Sequence, residues 1–96
     1  RPLPTSVTID NDASASATVV ELSAADAVGL LHRVTTALLG QDLDVTTARV
    51  STLGDQVVDA FYVRDRDSGG KISDPARLAR LEKAVRDAID AAEAVA

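Results

Sequence analysis

One stretch of this 96-residue chain brings together residue types able to hold a small ligand: Ser23 to Arg33, SAADAVGLLHR. It joins a strand-like run to a helix-like run, with Asp26 and Gly29 three residues apart. A loop entering a helix leaves backbone N–H groups without intrahelical acceptors, here those near Gly29, Leu30 and Leu31. They sit at the positive end of the helix dipole and attract a carboxylate, an effect worth roughly 0.3–2 kcal/mol depending on burial. Gly29 has no side chain to block close approach to that backbone. Asp26 has two roles open to it, capping the helix or pairing with a ligand ammonium group. Together the donors and the acid suit an α-amino acid, which carries both charges. On spacing alone the capping role has the advantage, because Asp is common at helix starts.

Other chemistry finds little support. His32 is the one histidine and there is no cysteine, so a nucleophile–base pair or a metal cluster lacks partners. His32 reads as a partly exposed helix residue, and no glycine-rich phosphate loop occurs. Asp65-Arg66-Asp67-Ser68-Gly69-Gly70 spaces two carboxylates two apart, as a calcium loop does, but lacks the remaining oxygen series. It reads as a solvated connection, and Asp10-Asn11-Asp12 as turn chemistry. The chain is expected to be non-catalytic, with no cofactor and no metal.

Composition narrows the partners. The formal net charge is −5, with no basic cluster, and Phe61 and Tyr62 are the only aromatics. Phosphate backbones recruit Lys and Arg, and single strands recruit stacked aromatics, so nucleic acid is an unsuitable partner. No apolar run approaches 18 residues and no signal peptide is evident, so the expectation is a cytoplasmic protein without a membrane partner. A chain of 96 residues fits one domain over residues 1–96. Its start at Arg1 rather than Met leads to the expectation of a fragment of a longer polypeptide.

The elements that must position the junction follow from periodicity. Thr5 to Asp10 alternates as a short strand, Asn11 to Ala17 is a polar loop, and Thr18 to Leu22 is a second strand. A helix is predicted from about Gly29 to Gln41, with Leu30, Val34, Ala37 and Leu38 on its inner face. Leu43 to Leu53 is the third strand, with Val45, Ala48 and Val50 as core candidates and a bulge expected near Thr46. Gly54-Asp55 turns the chain into Gln56 to Val63, the strongest strand by propensity. Asp74-Pro75 then marks an N-cap and first helical position. The helix after it places Leu78, Leu81, Val85, Ile89 and Ala92 on one face. The order ββαββα specifies an α+β fold, a four-stranded antiparallel sheet with both helices on one face, closest to a ferredoxin-like sandwich. The usual closing strand after the second helix is missing, and the strand around Val7 and Ile9 is expected to occupy that edge.

At this point the chain resembles the ACT domain, a small-ligand sensor attached to amino-acid-regulated enzymes. The likeness rests on Asp26-Ala27-Val28-Gly29-Leu30-Leu31, similar to the family's D-x-x-G-L-L turn, and on Leu43-Asp44-Val45. It continues through Ala48 to Asp55 and is most specific in Val57 to Asp65, VVDAFYVRD. That pattern resembles the subgroup at the C-terminus of bifunctional PII uridylyltransferase/uridylyl-removing enzymes, as do Val7 to Asn11, Ser14 and Thr18-Val19.

The resemblance implies a glutamine-sensing regulatory domain, allosterically controlling a parent nucleotidyltransferase in nitrogen metabolism. The implied partners are an amino acid, another ACT domain in a homodimer or tandem pair, and the parent's catalytic portion. Carried over by position, Asp26 and Gly29 match the turn, and Ala27, Val28, Gly29, Leu30 and Leu31 would offer backbone donors to the ligand carboxylate. Val28 stands where the family usually has proline, which leaves the turn less rigid. Asp44 stands where many relatives carry asparagine. As an acceptor only, it would repel a carboxylate and favour an ammonium or amide N–H. Two alternatives stay open: an ACT–ACT pairing module without a small ligand, and a domain of a non-catalytic ACT-repeat protein. Because a small four-stranded sheet leaves its edges open, pairing with a second domain is expected in any of these cases.

Overall fold

The computed structural model describes residues 4–95. The chain forms β1 (Ser6–Asp10), β2 (Thr18–Ala25), α1 (Leu30–Gly40), β3 (Leu43–Leu53), β4 (Gln56–Asp65) and α2 (Pro75–Ala94). The four strands make one sheet in the order β1-β2-β4-β3, every pair antiparallel. β1 therefore fills the edge beside β2, as expected for a chain with no strand after α2. This is the ferredoxin-like α/β sandwich that the ββαββα order predicts.

Strand parity decides what each element contributes to the core. Val20, Leu22 and Ala24 of β2 lie opposite Phe61, Asp59 and Val57 of β4, so these residues share one face of the sheet. Leu30, Val34 and Leu38 from α1 and Leu81, Val85, Ile89 and Ala92 from α2 close over that face. Both helices show the i, i+4 recurrence that buries one stripe and leaves the remainder to solvent. Leu78 and Ala37, read as inner-face residues, are only partly buried.

Local chemistry sets the helix ends. Asp74 caps α2 by accepting from the Arg77 N–H at 3.1 Å, with Pro75 at the first position, as the Asp-Pro pair predicts. Asp12 N–H donates to Asp10 Oδ1 at 2.7 Å, so the first loop is built by the turn chemistry expected of Asp10-Asn11-Asp12.

β3 bears out one expectation and corrects another. The register against β4 shifts between Val45 and Thr47, placing a bulge at Thr46. Ala48 and Val50, expected in the core, are exposed, and Val45 is only half-buried. Both lie opposite Phe61 and Asp59 and so do face the helix side. α1 packs on β3 and α2 on β1, so both edges of the sheet are roofed, and it is the length of β3 beyond Val45 that the helices do not reach.

Candidate functional site

The start of α1 has an unusual construction. Gly29 occupies the cap position with φ 80° and ψ 3°, in the left-handed region, and no side chain hydrogen-bonds to the helix end. Asp26 therefore does not cap α1, although its spacing favours that role. Instead the Asp26 N–H donates to the Asp55 carbonyl at 2.8 Å, tying the loop to the β3–β4 turn. The Leu30 N–H donates to Ala27 O at 3.1 Å and the Arg33 N–H to Gly29 O at 2.9 Å. Between them, among the described residues, the N–H groups of Gly29, Leu31 and His32 meet no acceptor. The junction thus presents open donors at the positive end of an 11-residue helix.

These donors border a cleft of about 260 Å³ between the start of α1 and the uncovered half of β3. Asp26, Ala27, Gly29, Leu30 and Leu31 line one wall together with His32, and Val50, Thr52, Val57 and Asp59 line the other. Five of the seven residues singled out in the sequence thus come together. Val28 is 94% exposed and points away from this cleft, lining instead a groove between the helices. Asp44 is not brought to the cleft within one chain. It sits at the opposite end of β3, within 3.8 Å of the Arg66 guanidinium.

Asp59 is the residue that sequence reasoning missed. It is 3% exposed, and burial pushes its carboxyl above the ordinary carboxylate range, against the opposing effect of a hydrogen bond from the Ser51 N–H. The Asp26 charge nearby adds a smaller push in the same direction. The signal was present in the sequence: Asp59 has the same strand parity as Val57, Phe61 and Val63, all buried. An acid on the inner face of a strong strand requires a partner.

A second, wider groove of about 780 Å³ runs between α1 and α2, past Val28, Ala37, Ala84, Ala88 and Val95. Small ligands are usually fixed by a few converging polar groups on an apolar floor. Asp87, Arg33 and His32 are spread along its rim, whereas the smaller cleft concentrates open N–H donors and two carboxylates. The smaller cleft is the better candidate. Among the described residues, no group of three or more His, Asp or Glu side chains is placed to hold a metal ion.

The ββαββα order and the antiparallel sheet with both helices on one face place the chain in the class of ferredoxin-like α/β sandwiches. The particular family follows from comparison: residues 13–91 match the ACR family N-terminal ACT domain, and the chain belongs to the ACT family. It is similar to the bifunctional uridylyltransferase/uridylyl-removing enzyme of Gluconobacter oxydans, at 49% identity over 84% of this chain and 8% of that protein. The enzymes of the same name from Caulobacter vibrioides and Rhodospirillum rubrum are each 44% identical, over 95% and 91% of this chain. They are covered to 10% and 9% of their own lengths, so the chain spans about a tenth of the curated relatives it matches. No solved structure matches.

Proposed function

We propose that this ACT domain senses an α-amino acid, with glutamine the preferred ligand, and controls the catalytic portion of a uridylyltransferase/uridylyl-removing enzyme in the cytoplasm. The observation that carries the reading is the cleft of about 260 Å³ at the start of α1, where open backbone donors beside Asp26 face the Asp59 carboxylate. The N–H groups of Gly29 and Leu31 receive the ligand carboxylate, and the acidic side of the cleft, Asp26 and Asp59, favours its ammonium group. Leu30 and Ala27 shape the floor, and the exposed Val28 leaves the turn free to adjust. No cofactor and no reaction in this domain are part of the proposal. Choosing glutamine among amino acids rests on the likeness to the uridylyltransferase/uridylyl-removing enzymes.

A second copy of the domain completes the proposal. β3 is an edge strand whose residues from Thr46 to Leu53 are all exposed. An unpaired edge of this length is a template on which another chain can pair. The same exposed edge favours the second reading, in which pairing itself is the function and no small ligand binds.

Calorimetry separates the two. Sensing predicts saturable heat with glutamine that is abolished in Gly29→Leu, where a side chain would be forced into left-handed backbone beside the donors. A pairing module would dimerise, as sedimentation would show, and give no heat with millimolar glutamine.

A further inference from the structure

Asp59 is unusually poorly provided for in the described part of the molecule. Its Oδ1 accepts one long hydrogen bond, from the Ser51 N–H at 3.3 Å, and its Oδ2 has no hydrogen-bond partner among the described residues. No Lys or Arg among the described residues comes within ion-pair distance. Its neighbours across the strands are Leu22 and Val50, and it lines the cleft beside Thr52 and Val57. The titratable groups facing the same cleft are Asp26, from the β2–α1 loop, and His32, from the first turn of α1. A largely buried ionised carboxylate without a counter-charge is costly, and a proton, water in the cleft or an entering cation lowers that cost, the cation most. The cleft supplies no resident cation, but it leaves room for one to enter.

We infer that Asp59 is the acceptor for the ammonium group of the bound ligand, and that it makes the cleft select α-amino acids over carboxylic acids lacking the amine. The inference rests on the amino-acid reading of the same site and assigns it a specificity-determining residue. Asp26 is exposed, so solvent weakens any pairing it offers, whereas Asp59 acts from a desolvated wall where a charge-assisted hydrogen bond is strongest. The open N–H groups of Gly29, Leu31 and His32 lie on the other wall and receive the ligand's carboxylate. A zwitterion satisfies both walls at once, and a simple carboxylate leaves Asp59 unpaired. Where Asp59 carries a proton in the empty site, the arriving ammonium displaces it to solvent. Affinity for the amino acid therefore falls as acid pH protonates Asp59, and affinity for the deaminated acid does not fall for that reason.

The test is calorimetric titration of the 96-residue chain with glutamine and with 4-carbamoylbutanoate, which is glutamine without its amino group. Wild type should bind glutamine at least about tenfold more tightly, the scale of one charge-assisted hydrogen bond. Asp59→Asn should lose about tenfold or more for glutamine and leave 4-carbamoylbutanoate unchanged, erasing the discrimination. The asparagine is nearly isosteric, and a retained thermal transition confirms that its fold is intact. Asp26→Asn should weaken glutamine less than Asp59→Asn does. Equal glutamine affinity in wild type and Asp59→Asn overturns the inference and leaves glutamine sensing standing. Binding of a different amino acid in a manner sensitive to Asp59, with none of glutamine, overturns the choice of glutamine and supports the role of Asp59. No binding of any of the common amino acids overturns both.

Discussion

The two ends of helix α1 are built on opposite plans. Around its C-terminal end, carbonyls of the last turn and of the residues just after it are taken up by arginines. Arg66 Nη2 donates to Leu39 O at 2.8 Å and to Leu43 O at 3.2 Å, and Arg77 Nη2 donates to Gln41 O at 3.2 Å and Asp42 O at 3.3 Å. Arg77 also pairs with Asp65, whose carboxylate accepts the Ser68 N–H at 2.7 Å. Asp42, the one non-glycine in left-handed backbone among the described residues, is held in this knot. At the N-terminal end nothing caps the helix, three N–H groups stay open, and a buried acid has one long hydrogen bond. A protein need satisfy a helix end only once, with its own side chains or with something it binds. The closed end holds the fold, and the open end is where a ligand has something to contribute.

The two acids at these ends titrate in opposite senses. The Ser68 N–H first, then the Arg77 side chain, hold Asp65 down at about 2, against an ordinary value of 3.8. Asp65 therefore lends stability above the ordinary value, which is lost as pH falls toward 2. Asp59 lies above its ordinary value, chiefly through burial. The folded state favours its proton more than the unfolded chain does, so its contribution is fully present below pH 3.8 and lost as pH rises through its raised value.

The largest change in stability should come from the closed end. Arg77→Ala removes two bonds to the Gln41 and Asp42 carbonyls just beyond α1 and the partner of Asp65, and should cost about 1.5–3 kcal/mol by urea denaturation. It should also move acid unfolding to a higher pH, because Asp65 loses one of the groups that hold it ionised. Next comes Gly29→Ala, where a Cβ would meet no atom within 4 Å. The cost there is backbone strain alone, about 1–2 kcal/mol in the same measurement. Asp59→Asn should be smaller and opposite in sign, a gain in thermal stability at neutral pH that shrinks toward pH 3.8 and below. Asp44→Asn should be smallest, within about 0.5 kcal/mol, because its ion pair with Arg66 is well exposed.

Much of this contrast was legible in the sequence, and unevenly so. The Asp74-Pro75 start of α2, the bulge at Thr46 and the placement of β1 followed from turn chemistry, broken alternation and a missing strand. Those are local signals, and local geometry decides them. Ala48 and Val50 alternate correctly but lie bare, because how far a helix extends along an edge strand is a property of the assembled layers. Asp26 has the spacing of a cap, yet left-handed Gly29 takes that position and leaves Asp26 on the cleft wall. Asp59 was legible only by strand parity, as an acid in a row of buried Val and Phe. Asp44 was expected at the site from the resemblance alone, and within one chain it lies at the end of β3 away from the cleft.

Amide chemical shifts during a glutamine titration of the chain test the open-end claim most directly. The amides of Gly29, Leu31 and His32 should move together and saturate, while those of Arg66, Ser68 and Arg77 at the closed end stay in place. No movement at saturating glutamine, or movement confined to the closed end, would contradict it.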